Sequence, residues 1–155
     1  CFAVPFFYIM ERILAIDFGR RRIGLALSDE LGLMANGLPT LKVRNKDHAF
    51  DSVVEVIQIH MPGLIVFGLP LNLDGTRGEM VSVIEAFVEA LKEVIDIQIE
   101  FIDERLTSVA AHRTMQEMGI KQKGNKGVVD RLAAVYLLEI YLQKRSTPSI
   151  ESGGM

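Results

Sequence analysis

The chain has almost no cysteine, no tryptophan and no long uninterrupted apolar stretch. Cys1 is its single thiol, so neither a disulfide framework nor a cysteine-based zinc site is available, and a reducing compartment, the cytoplasm, is the expected setting. His48, His60 and His112 have no ligand-like spacing and read as surface or helix-end residues. Positive charge is not in excess: 17 Lys and Arg against 20 Asp and Glu give a formal net charge of −3. That balance argues against nucleic-acid binding through general positive charge, while local basic clusters around an acidic centre stay open. The opening "CFAVPFFYIM" is apolar, but Glu11 and Arg12 interrupt it too soon for a membrane span, and it lacks the positive start of a signal peptide. No membrane association is expected.

What is present is 155 residues, 49% hydrophobic and 24% charged, the size and composition of one domain with a full core. Residues 10–145 are expected to form that domain. Residues 1–9 read as an upstream extension, and the Ser-, Pro- and Gly-rich residues 146–155 as a tail that frays. No internal repeat is visible.

Hydrophobic periodicity divides the chain into nine elements. Ile13–Asp17 and Ile23–Ser28 read as strands joined by a turn at Gly19, and Gly37–Asn45 as a third strand, with Asn36-Gly37 as turn punctuation before it. Phe50, Val53, Val54 and Ile57 fall at helical spacing and stop before Pro62-Gly63. Leu64–Gly68, "LIVFG", has no alternation, the pattern of a strand covered on both faces. Ile84, Phe87, Val88 and Leu91 make a second helical stripe, with Thr76 and Glu79 at the spacing of a capping box. Ile97–Ile102 is a fifth strand. Leu106–Met118 and Val128–Gln143 are two further helices, the last with Val129, Leu132, Ala133, Tyr136 and Ile140 on one face. The order β-β-β-α-β-α-β-α-α predicts an α/β domain with a mixed sheet.

Three acidic positions stand out in this frame: Asp17 at the end of the first strand, Asp103-Glu104 at the end of the fifth, and Asp130 in the first turn of the last helix. Ligands of open α/β sheets sit at the carboxyl ends of strands, so these groups can converge there. Converging carboxylates repel and raise one another's pKa unless a hard divalent cation, Mg²⁺ or Mn²⁺, lies between them. Two such ions stabilise the attacking and leaving oxygens of a phosphodiester displacement. Singly, each acid has a plainer reading: turn stabilisation by Asp17, an ion pair of Glu104 with Arg105, a helix-dipole contact by Asp130. Joint placement is what favours a site.

Arg20, Arg21 and Arg22 follow the acidic turn and are candidates for phosphate contact. "KQKGNKG", with Lys123 and Lys126, reads as a basic loop able to track a nucleic-acid backbone or as a plain linker. "GLPLNLDGTRG" is not a nucleotide-binding P-loop, since it lacks the Gly-Lys-Ser/Thr ending. Turn and cap roles explain Thr76 and Glu79 there but leave the Asn72 amide for substrate. Asp103 and Glu104 should point to opposite faces, and periodicity does not choose between them.

Together "DFGRRRIGLALSD", "GLPLNLDGT", "DERLTS" and "KGVVDRLAAVYLLEIYL" resemble the YqgF family, described both as Holliday junction resolvases and as nucleases that mature precursor small-subunit ribosomal RNA. The resemblance spans Met10 to Lys144. It implies a ribonuclease H-like fold with a five-stranded mixed sheet in the order 3-2-1-4-5, flanked by helices. It also implies a metal-dependent endonuclease in which Asp17, Glu104 and Asp130 are catalytic and hold Mg²⁺ or Mn²⁺. Arg20, Arg21, Arg22, Asn72, Arg105, Lys123 and Lys126 then become candidate substrate contacts, and Glu104 is preferred to Asp103. The expected substrate is precursor ribosomal RNA on ribosomal particles, with branched DNA as the alternative, and the protein is a monomer or a homodimer. Two other classes compete: a nucleotide-handling phosphotransferase, which would need a second such domain, and a non-catalytic assembly factor retaining the fold.

Overall fold

The computed structural model describes residues 11–72, 74–105, 113–114, 116–119 and 126–146. Five strands form one mixed sheet: β1 (Ile13–Phe18), β2 (Arg22–Ser28), β3 (Ala35–Lys42), β4 (Leu64–Leu69) and β5 (Gln98–Asp103), in the spatial order β3-β2-β1-β4-β5. The order is the one expected. β1–β2 and β2–β3 pair antiparallel, as a meander must, and β1–β4 and β4–β5 pair parallel through helical crossovers. The helices are α1 (Lys46–His60), α2 (Glu79–Lys92) and α3 (Lys126–Ser146).

Strand alternation sorts the core into two layers. Leu14 and Ile16 of β1 face one side, where they pack with Val53 and Ile57 of α1 and Ile84, Val88 and Leu91 of α2. Ile13 and Ala15 face the other, with Ala26, Val66, Ile102 and the α3 residues Ala134, Leu137 and Leu138. β1 and β4 are central and covered on both faces, which is why Ile13–Ile16 and Leu64–Gly68 are unbroken buried runs. By the same alternation Asp17 continues the α3-facing series of Ile13 and Ala15. This places the acid under α3, and on the sheet's carboxyl edge.

Several local expectations shift. The third strand begins at Ala35, so Asn36 and Gly37 lie inside it, paired with Leu27 and Ala26. The turn is instead tied by Asp29, whose carboxylate accepts from the N–H groups of Leu33 and Met34 at 2.7 and 3.2 Å. Gly37 serves close packing, since a β-carbon there would strike the Arg131 side chain of α3. Register slips between Ile23 and Leu25, leaving Pro39 and Thr40 opposite Gly24. A proline without an N–H fits that bulge on an edge strand.

The capping box at α2 does not form. The cap is Gly78, which has no side chain to accept from the free N–H groups, and the helix starts later than a Thr76 cap requires. α1 has the side-chain cap instead: Asn45 accepts from the His48 N–H at 2.8 Å. The buried face of α3 is turned from the expected stripe. Ala133, Ala134, Leu137 and Leu138 are buried, while Val128 is exposed and Leu132, Tyr136 and Ile140 are partly covered. Two consecutive alanines let the helix lie close on the sheet. Of the expected helix 106–118, residues 106–112 and 115 lie outside the described residues, and 113–114 and 116–117 are helical.

Candidate active site

Asp17 sits between strands β2 and β4, and both neighbours in register lack side chains. Its partner on β2 is Gly24, and Gly68 lies one residue beyond the Ile16–Phe67 pair on β4. These glycines clear the floor for other groups. A β-carbon on Gly24 would collide with the backbone carbonyl of Asp130, so α3 crosses the sheet directly over that residue. A β-carbon on Gly68 would collide with the Glu104 carboxylate and stand 3.2 Å from Leu137 Cδ2. The two missing side chains are therefore filled by the backbone that carries one expected acid and by the carboxylate of another. Neither glycine was singled out from sequence, although "RIGLALS" and "LIVFG" each break an apolar strand with one.

Glu104 follows β5 and keeps its pairing, donating its N–H to Leu69 O at 3.2 Å. It extends the series of Ile102, which faces α3, so it meets Asp17 and the two carboxyls share a hydrogen bond. One of them must carry the proton. Burial is the main cause that raises Asp17, to about 6; the bond to Glu104 opposes the rise, and the charge of Asp130 adds to it. Burial and the Asp17 charge likewise push Glu104 far above the usual carboxylate range. Asp103 behaves differently. Arg105 closes on it through Nε at 2.6 Å and through its own backbone N–H at 3.0 Å, and this pairing holds Asp103 below its ordinary pKa. Arg105 thus pairs with Asp103 rather than Glu104.

Asp130 lies one turn inside α3, because the helix begins at Lys126 and has no acid in its first turn. A helix-dipole role is thereby removed. Its carboxylate accepts from Arg22 Nε at 2.9 Å, with both side chains about two-thirds covered. A pair so placed contributes on the order of 0.5–1 kcal/mol. Among the described residues no three histidine, cysteine or acidic groups stand close enough to cage a metal ion. The donor set nonetheless suits one: Asp17 and Glu104 offer hard oxygen ligands that share a hydrogen bond, and Asp130, whose backbone lies over Gly24, is near enough for its charge to raise Asp17.

The basic residues divide. Arg20 pairs with Glu79 at 2.9 Å, Arg21 is exposed, and Arg22 holds Asp130. Asn72 has a structural task that its motif did not reveal: its Nδ2 donates to Thr76 Oγ1 at 2.9 Å, and its backbone bonds both Thr76 and Gly75. Thr76 in turn donates to Asp74 at 2.6 Å, so the loop is closed by its own side chains. Lys123 lies outside the described residues, and of Lys126 only the backbone is described.

Comparison with known proteins bears on this geometry. Residues 11–144 match the profile of RuvX, described as Holliday junction resolvase. The chain belongs to this family. A relative from Clostridium kluyveri, named as a candidate pre-16S rRNA nuclease, is 38% identical over 135 residues, covering 87% of this chain and 98% of its own length. One from Bacteroides fragilis with the same name is 40% identical over 139 residues, covering 88% and 99%. Among solved structures, the Fowlpox virus resolvase in complex with Holliday junction DNA aligns with a TM-score of 0.57 at 11% identity, covering 88% of this chain and 99% of that one. RuvC of T. thermophilus with its Holliday junction substrate aligns at 0.51 and 16% identity, covering 88% and 97%. The RuvX chain shares with these resolvases the ribonuclease H-like fold. Among its described residues no helix is long and apolar enough to cross a membrane.

Proposed function

We propose that this RuvX chain is a divalent-metal-dependent nuclease that cleaves phosphodiester bonds, with the 5′ region of precursor small-subunit ribosomal RNA as its substrate. The observation that carries the reading is the pair of carboxyls at the carboxyl edge of the sheet, Asp17 and Glu104, held in hydrogen-bond contact and raised in pKa by burial. A fold that needed only stability would not keep two such acids together in a space cleared by two glycines. The names of the relatives supply the substrate class.

In this reading Asp17 and Glu104 would hold Mg²⁺ or Mn²⁺ once they give up their shared proton, and Asp130 joins them on leaving Arg22. The chemistry that such ions supply when bound is Lewis-acid stabilisation of the attacking and leaving oxygens. The chain's own residues do the rest. Gly24 and Gly68 leave room for the acids, Leu137 closes the apolar side next to Glu104, and Arg22, released from Asp130, is placed to bind a substrate phosphate.

The family description and the junction-bound neighbours favour a second reading, resolution of branched DNA. A resolvase that cuts a two-fold junction needs two sites in a dimer, whereas trimming an RNA end needs one. Cleavage by wild type and by Asp17→Asn is measured side by side on a synthetic four-way junction and on precursor ribosomal RNA within ribosomal particles. The expected result is Mg²⁺- or Mn²⁺-dependent cleavage of the RNA by wild type alone. Cleavage confined to the junction would replace the first reading by the second, and undiminished cleavage by Asp17→Asn would remove the acidic pair from the mechanism.

A further inference from the structure

We propose that the outer side of the β2–β3 meander, where Arg22, Lys42 and Arg131 gather on the face under α3, grips the sugar-phosphate backbone of the substrate strand. This rests on the nuclease reading and extends it to the side from which the strand reaches Asp17 and Glu104. Arg22 and Lys42 stand directly opposite each other in the β2–β3 register, so their side chains share one face of the sheet. The ion pair of Arg22 with Asp130 fixes that face as the one under α3. Arg131 belongs to it too. Its Cγ and Cδ lie over Gly37 of β3, where a β-carbon would strike them, and Gly37 pairs with Ala26, which packs against α3.

Positive charge is uncompensated on this surface. Arg22 has Asp130, but among the described residues neither Lys42 nor Arg131 has an ion pair. Both are exposed. Neither β2 nor β3 contains an acid. Asp29 and Glu30, in the turn that joins them, lie at the other end of the strands, and Glu30 is taken by Arg12. In a chain of formal charge −3 this is a local excess that a polyanion complements. The stem of Arg131 packs on β3, which leaves its guanidinium as the part in solvent. Cations that make no base-edge contact hold the backbone and read no sequence.

The position fits as well. From Gly37, under Arg131, to Lys42 the strand advances roughly 15 Å, a span that takes more than one phosphate. At its Lys42 end the surface meets Arg22, which lies two residues along β2 from Gly24, the register partner of Asp17. A strand held there is thus led to the acidic pair. The other end of α3 is basic too, with Lys144 and Arg145 in its last turn, but these stand at β5, on the opposite edge of the sheet, where they share a groove with Asp103. The proposal is therefore specific to one edge.

The test is fluorescence anisotropy of the full-length protein in EDTA with two labelled single-stranded RNAs of equal length and unrelated sequence, each at two salt concentrations. The double substitution Lys42→Met/Arg131→Met keeps the apolar stems and removes both charges. It should weaken binding of both RNAs about tenfold and lower the slope of log affinity against log salt by about 1.4. Lys144→Met/Arg145→Met, at the opposite edge, should bind within twofold of wild type. Thermal midpoints and Mn²⁺ binding should match wild type for both variants. If Arg131→Met lowers the midpoint, Lys42→Met alone carries the test, with about threefold weaker binding and a slope lower by about 0.7. Binding within twofold of wild type after loss of the Lys42 and Arg131 charges would overturn the proposal, as would a loss confined to one RNA sequence, a larger loss from the Lys144 and Arg145 pair, or no measurable binding by wild type. Failure of this surface leaves Mn²⁺-dependent cleavage intact in Lys42→Met/Arg131→Met, whereas failure of the nuclease reading leaves the effect on RNA binding intact with no cleavage by wild type, so the two are told apart.

Discussion

Replacing Asp17 by Asn tests the electrostatics of the site without its chemistry. In the cation-free protein Asp17 and Glu104 share one hydrogen bond, which requires a proton on one of them. An asparagine supplies a permanent N–H to Glu104 in the same place and removes one charge. The sign follows from linkage. Both carboxyls have raised folded-state pKa values, so between about pH 4 and the folded values the native state binds more protons than the unfolded chain, and stability falls as pH rises through that interval. For Asp17, raised from 3.8 to about 6, the full shift corresponds to about 3 kcal/mol. Partial solvent access reduces this to about 1–2 kcal/mol. For a chain of 155 residues that is an increase of roughly 2–8 °C in thermal midpoint. The assay is thermal unfolding of wild type and Asp17→Asn in EDTA from pH 4.5 to 8.5. The two midpoints should converge at the acid end and separate progressively toward the alkaline end, with the variant more stable. Adding Mn²⁺ at pH 8 should raise the wild-type midpoint and leave the variant nearly unchanged. A variant less stable than wild type at pH 8, or a difference that does not depend on pH, would refute the argument that these acids are held together against their repulsion.

Arg22→Gln removes the cation that competes for Asp130; calorimetric titration with Mn²⁺ should show severalfold tighter binding, while the loss of the ion pair lowers stability by no more than about 1 kcal/mol. Gly24→Ala and Gly68→Ala should both destabilise, read by urea unfolding, but unequally. At Gly24 the new methyl meets the Asp130 backbone, which cannot rotate away, and about 2–3 kcal/mol is expected. At Gly68 it meets a side-chain carboxylate, so a smaller stability loss should accompany a complete loss of metal binding.

The strands and the sheet order were legible because burial imposes period and run length directly. β1 and β4 are apolar on both faces because each is covered on both faces, and the three-strand opening meander forces antiparallel pairs. The third strand was displaced because Asn36-Gly37 has the composition of a turn, while the real turn depends on two bonds from the Asp29 carboxylate that composition does not announce. The choice of Glu104 over Asp103 came from family likeness. Its physical basis, the continuation of the α3-facing series Ile102–Glu104 opposite Asp17, needs the register of β5 against β4. What the sequence concealed was the distribution of counter-charges. Arg105 follows Glu104 yet closes on Asp103, and Arg22 reaches across 108 residues to Asp130, a pairing that only the packing of α3 over Gly24 creates.

These counter-charges separate the acids by kind. Asp103 has a full-time arginine and a lowered pKa, so it is stable as an anion and has nothing to gain from a cation. Asp130 has an arginine that is itself suited to a phosphate. Asp17 and Glu104 share a hydrogen bond, in a space from which two β-carbons have been removed. An acid that the protein neutralises with its own arginine contributes to the fold, and one that it leaves to share a proton is poised for a ligand. By that criterion the acids at this edge are not equivalent. In the proposed reading the centre is Asp17 with Glu104, and Asp130 would be a third member whose availability depends on whether Arg22 stays with the carboxylate or turns to a substrate phosphate.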